Sequence, residues 1–115
     1  MISSVSDVLL DVASGMMSEN ILIVDNDIVF RTSLKVFLED HNYKVCEAES
    51  AKDAIKYDLM AFGAIVSDGE ANTGIINLAR GIPVIITSSR ASLRSAVEVM
   101  KRGAADYLPK PYNLD

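Results

Sequence analysis

The chain has 115 residues and is 50% hydrophobic, which suits one domain with enough apolar side chains to bury a core on both sides of a sheet. A formal net charge of -5 and the lack of a Lys/Arg cluster argue against direct nucleic-acid binding, because phosphate backbones are held mainly by cations. The single cysteine, Cys46, excludes an intrachain disulfide and makes a reducing cytoplasm the expected location. The first basic residue is Arg31 and no apolar run reaches membrane-spanning length, so neither a secretory leader with a charged start nor a membrane span is expected.

Residues 1–16 form a pattern of their own. Ser4 and Asp7 have the spacing of a capping box, and Val5, Val8, Leu9 and Val12 fall on one helical face. This predicts an added amphipathic helix whose Val/Leu stripe covers the sheet face left bare by the missing last helix, within one chain or across a dimer. Met17-Ser-Glu-Asn is equally suited to begin the domain proper, which would make residues 1–16 an extension.

From residue 21 onward, short β-branched runs alternate with helical patterns, as in an α/β, doubly wound parallel sheet covered on both faces. Strands are predicted at Ile21–Val24, Lys44–Glu47, Ala64–Ser67, Val84–Thr87 and Ala105–Tyr107. Helices lie between them. Phe30, Leu34, Phe37 and Leu38 mark the core face of the first, and Leu93, Ala96, Val97 and Met100 that of the fourth. Ser50 and Asp53 form a capping box for the second, while Gly81 and Gly103 stand where helix C-caps are wanted. The third helix, near residues 73–80, has room for only about two turns. Pro111-Tyr-Asn-Leu-Asp stands where one more helix would be expected to begin. Cys46 reads as a small strand hydrophobe and His41 as a solvated loop residue.

Three chemical features lie at the carboxyl ends of predicted strands, where open parallel sheets bind ligands. Asp25-Asn26-Asp27 follows Ile-Leu-Ile-Val, Asp68 follows Ala-Ile-Val-Ser, and Lys110 follows the last strand. Carboxylates gathered there repel one another, and a divalent cation or a lysine relieves the cost. Such a pocket suits phosphoryl transfer onto a carboxylate.

The runs ILIVDND, IVSD, PVIITSS and GAADYLPKP, in this order, resemble the motifs of two-component response-regulator receiver domains over residues 21–115. The nearest likeness is to the nitrogen-regulation (NtrC-like) type, in which DYLPKP and PVII followed by a small hydroxyl residue recur. The resemblance implies a flavodoxin-like strand order 2-1-3-4-5, here with an extra N-terminal helix (1–16) ahead of a receiver (17–115) that has a shortened third helix and lacks the last one. It implies phosphorylation of Asp68, with Mg2+ held by Asp25, Asn26, Asp68 and the Glu70 backbone carbonyl. Lys110 would pair with the phosphoryl oxygens, Ser88 rather than Thr87 would be the switch hydroxyl, Tyr107 the switch aromatic, and Lys110-Pro111 a cis bond. The implied donor is a histidine kinase or phosphotransfer protein, and the surface near helix four and strand five would change its affinity for a partner or a second copy in a homodimer. Any ATPase and DNA-binding domains would belong to a longer parent chain.

Two departures stand beside the matches. Asn26 occupies the place of a second acid, and Gly69-Glu70-Ala71-Asn72 replaces the usual Pro and Asp-Gly loop. They support an alternative reading, a pseudo-receiver that works by dimerisation or docking without phosphorylation. A third reading is an enzyme. Asp25-Asn26-Asp27 also resembles the Asp-x-Asp motif of haloacid-dehalogenase-like phosphatases, with Asp25 as nucleophile and Asp27 as acid/base, although the later acidic pair and the cap of that family are missing.

Overall fold

Five β-branched runs pair into one parallel sheet of order β2-β1-β3-β4-β5: β1 (Asn20–Val24), β2 (Lys44–Ala48), β3 (Ala64–Asp68), β4 (Val84–Ser88) and β5 (Asp106–Pro109). This is the expected order. The computed structural model describes residues 5–14, 18–69, 74–79 and 81–110. Around the sheet stand α1 (Val5–Ser14), α2 (Ile28–Asp40), α3 (Ala51–Ala54), α4 (Ile75–Leu78) and α5 (Leu93–Lys101), with a 3-10 turn at Leu59–Ala61. Every residue of β3 and β4 is buried, as expected of central strands covered on both faces.

Strand alternation sorts the apolar side chains into two cores. One holds Leu22, Val24, Ile65, Val84 and Ile86 of the sheet against Ala54, Ile75 and Val99 of α3, α4 and α5. The other holds Ile21, Ile23, Val66, Ile85 and Leu108 against Leu34 and Leu38 of α2 and Leu9 of α1. Local signals place the helix ends: Ser50 Oγ accepts the Asp53 N–H at 3.2 Å, and Gly81 and Gly103 adopt φ of 78° and 106°.

The third helix, expected to be short, is described over Ile75–Leu78. The structure corrects one expectation. In α5 the expected core stripe faces outward, with Leu93, Val97 and Met100 exposed to 83%, 44% and 46%. The buried face centres instead on Val99, with Ser95 and Ala96 half-buried beside it. The reason is contact geometry: this nine-residue helix meets the sheet along a narrow strip, and Ser95 is turned inward because its hydroxyl accepts from Tyr107 at 3.3 Å. Ser4 of the expected first capping box, Pro111 of the expected cis bond and the place of the last helix lie outside the described residues.

Helix α1 lies on the sheet as its stripe predicts. Leu9 is buried in the same cluster as Val66, Ile85 and Leu108, with Val8 and Val12 packed against it. Leu9→Ala is expected to lower unfolding free energy by about 2–5 kcal/mol in urea denaturation. An unchanged midpoint and slope would show that α1 does not cover this face in solution.

Candidate functional site

Asp25 is the first residue past β1, and its place is fixed through the backbone on both sides. Its N–H donates to the Ala48 carbonyl at 3.0 Å, and its own carbonyl accepts from Arg31 Nη1 at 2.7 Å. Arg31 is itself buried, and its Nε donates to Glu47 Oε1 at 3.1 Å while Lys35 holds the other oxygen of Glu47 at 3.3 Å. Sequence reasoning passed over Arg31. The available signal was a cation on the buried stripe Arg31, Leu34, Leu38 of an otherwise apolar helix face.

Asp68 ends β3, and Lys110 directly follows β5. The three charges meet: Lys110 Nζ stands 2.6 Å from Asp25 Oδ2 and 3.7 Å from Asp68 Oδ1. The Lys110 side chain is only 5% exposed, lies 4.6 Å from the Phe30 ring centroid, and is anchored by its own N–H donating to the Ser88 carbonyl at 2.7 Å. Phe30, expected on the core face of α2, joins neither core cluster and instead serves the site as a platform for Lys110.

The neighbouring acid is used elsewhere. Asp27 caps α2, its Oδ1 accepting from the N–H groups of Val29 at 2.9 Å and Phe30 at 3.5 Å, while its own N–H donates to Asp25 Oδ1 at 2.9 Å. It orients Asp25 and does not turn into the pocket, which also removes the acid/base expected of Asp27 in a phosphatase. Asn26 is exposed beside the pocket, and Glu70 lies outside the described residues.

Ser88 and Tyr107 come together in a different place. They line a cavity of about 190 Å³ under α5, with Ser95, Arg90, Glu98 and Arg102 on its other walls. Ser88 Oγ accepts the Arg90 N–H at 3.1 Å. Thr87, the alternative hydroxyl, is buried and pairs in register with Asp68 across β3 and β4. The two hydroxyls therefore stand on opposite sides of the strand.

This rim of one ammonium and two carboxylates, at the carboxyl ends of three strands in the order 2-1-3-4-5, can be compared with known proteins. The family model described as response regulator receiver domain matches residues 21–115. The chain belongs to this family. Transcriptional regulatory protein ZraR of Escherichia coli is 36% identical over 105 residues, covering 84% of this chain and 24% of ZraR. Among solved structures, a Burkholderia pseudomallei response regulator with a phosphorylated aspartic acid, calcium ion and citrate superposes with TM-score 0.72 at 30% identity, covering 83% of this chain and 61% of that one. The beryllofluoride-activated NtrC4 receiver domain dimer gives TM-score 0.76 at 26% identity, covering 84% and 87%. The chain spans between 24% and 47% of the length of the curated relatives ZraR and PhoP.

Receivers of this family are signalling modules, and a phosphorylated neighbour carries a divalent metal. The donor chemistry here fits such an ion. Two buried carboxylates stand beside one ammonium, and their oxygens are hard ligands. Among the described residues no group of three or more His, Cys, Asp or Glu gathers to hold a metal. Asp27→Ala is expected to cost about 0.5–2 kcal/mol of stability in denaturant titration, as for a lost helix cap, with Mg2+ affinity by calorimetry unchanged within about twofold. A tenfold loss of affinity would instead make Asp27 a ligand.

Proposed function

We propose that this receiver accepts a phosphoryl group on Asp68 from a histidine kinase or phosphotransfer protein. The observation that carries the reading is the convergence of Lys110 on Asp25 and Asp68 at a buried rim. An Asp68 carboxylate oxygen attacks phosphorus, the P–O bond forms as the P–N bond of a phosphohistidine breaks, and the imidazole leaves with the electron pair. The Lys110 ammonium then neutralises phosphoryl oxygen charge. Asp25, Asp68, Asn26 and the Glu70 carbonyl are the residues that would hold Mg2+, which when bound screens the carboxylates and the transferring oxygens.

The switch follows from how Ser88 is placed. Its carbonyl holds Lys110, while the residue also lines a cavity with Tyr107, so a charge change at Asp68 would reach the Tyr107 side of the sheet through one residue. Ser88 is proposed as the switch hydroxyl and Tyr107 as the switch aromatic, together changing contacts with a partner or a second copy. Residues 17–115 form the receiver in this reading, of the NtrC-like type, with residues 1–16 an added helical segment. It acts in the cytoplasm in transcription regulation, through partners or domains other than this chain's own nucleic-acid contacts. None of the described helices is long and apolar enough to cross a membrane.

The test is incubation with Mg2+ and a small phosphodonor, followed by mapping of the modified residue. Modification at Asp68, lost in Asp68→Asn, is the expected result. Modification at Asp25 would overturn it. No reaction would favour the pseudo-receiver reading, which has one observation on its side: among the described residues two carboxylates face the Lys110 ammonium, and Asn26 brings no further charge. Asn26→Asp is accordingly expected to raise Mg2+ affinity about tenfold in calorimetry, equivalent to roughly 1.4 kcal/mol.

A further inference from the structure

The start of α2 touches the charged rim at three places. Asp27, its N-cap, donates its N–H to Asp25 Oδ1, Phe30 lies under the Lys110 ammonium, and Arg31 reaches back to the Asp25 carbonyl. The third contact meets a need that the helix creates. The ladder of α2 begins where the Arg31 N–H donates to the Asp27 carbonyl at 3.0 Å, so the Asp25 carbonyl, two residues earlier, lies beyond its reach. A buried carbonyl needs a donor, and Arg31 Nη1 supplies it at 2.7 Å.

Burying a guanidinium for this purpose is costly unless its charge is matched. Glu47, on β2 in register with Ile23 of β1, accepts from Arg31 Nε at 3.1 Å, and Lys35, one turn further along α2, holds its other oxygen at 3.3 Å. Side-chain exposure rises along this row, from 10% at Arg31 to 31% at Glu47 and 37% at Lys35. The row thus runs from solvent to the back of Asp25, and Arg31 and Lys110 hold that residue from opposite ends, one at the carbonyl and the other at the carboxylate.

We infer that Arg31 is a positioning residue of the acceptor site, which fixes the direction of the Asp25 carboxylate through the carbonyl of the same residue. With the Asp25 N–H bound to the Ala48 carbonyl and its own carbonyl bound to Arg31, both peptide planes are held, and the side chain takes its direction from them. The planar fork suits the task, because one nitrogen serves the carbonyl while another serves Glu47. A lysine offers all its donors from one atom and does not reproduce the fork.

The inference deepens the proposed metal site and rests on it for one of two readouts. Arg31→Met and Arg31→Lys are compared with the wild-type chain by amide hydrogen exchange and by calorimetric titration with Mg2+, and Lys35→Met, which removes only the outer pair, is the control. In both Arg31 variants the Asp25 and Asp27 amides are expected to exchange at least about tenfold faster, while those of Val66 and Ile85 in the central strands change by less than about threefold. Mg2+ affinity should fall about tenfold in both, and Lys35→Met should leave both readouts within about twofold of wild type. Arg31→Lys, which keeps a cation at the site, decides where circular dichroism shows Arg31→Met unfolded. Asp25 and Asp27 amides that keep their protection, or that loosen only in step with Val66 and Ile85, make Arg31 a packing residue and overturn the inference. Amides that loosen while Mg2+ binds as tightly as before overturn it too. A wild-type chain that takes up no Mg2+ overturns the metal reading instead, and the amides then decide the role of Arg31 by themselves.

Discussion

A buried ammonium between two carboxylates is the interaction on which the rest of this molecule turns. Burying Asp25 and Asp68 side by side would be prohibitive without Lys110, since each close pair of opposite charges is worth about 4 kcal/mol at 4 Å and an effective dielectric near 20. The three groups come from the ends of β1, β3 and β5, so the site exists only when all three strands are in order and in register. The pocket thereby reports on the whole sheet. Backbone bonds reinforce the arrangement at each end: Arg31 grips the Asp25 carbonyl, and the Ser88 carbonyl grips the Lys110 N–H.

The same strand ends couple the charged rim to a second region. Ser88 holds Lys110 through its carbonyl and also lines the cavity under α5. From that cavity Tyr107 donates to Ser95, and Ser95 Oγ lies 2.6 Å from the hydroxyl of Ser92, the N-cap of α5. The first turn of α5 thus hangs on a chain of hydroxyls that begins at Tyr107. Hydroxyl contacts of this kind are individually worth only about 1 kcal/mol.

The sheet and its rim were legible because both rest on strong, local signals. Buried parallel strands must be apolar runs, and the residue that ends such a run stands at the ligand-binding rim, so Asp25, Asp68 and Lys110 declared themselves by position. The use of Asp27 did not, because it depends on where α2 starts: a carboxylate at the first turn can serve the helix or the pocket, and the helix amides took it. Arg31 hid for a related reason, since charge on a helix usually means solvent. In α5 two overlapping stripes shared the helical period, and only the sheet contact decided that Val99 and Ser95 go inward while Leu93 and Val97 face out.

The rim is constrained by charge balance, whereas the apolar face over β3, β4 and β5 requires only a cover, and Leu9 supplies one from a helix that lies ahead of the residues matched to the family. Cover is a demand of area rather than of connectivity. A helix from a different place in the chain meets it while bringing a different outer surface, here one that carries Asp7 and Asp11 beside Asp106. The charged rim can therefore stay fixed while the surface beside β5 acquires its own charge pattern.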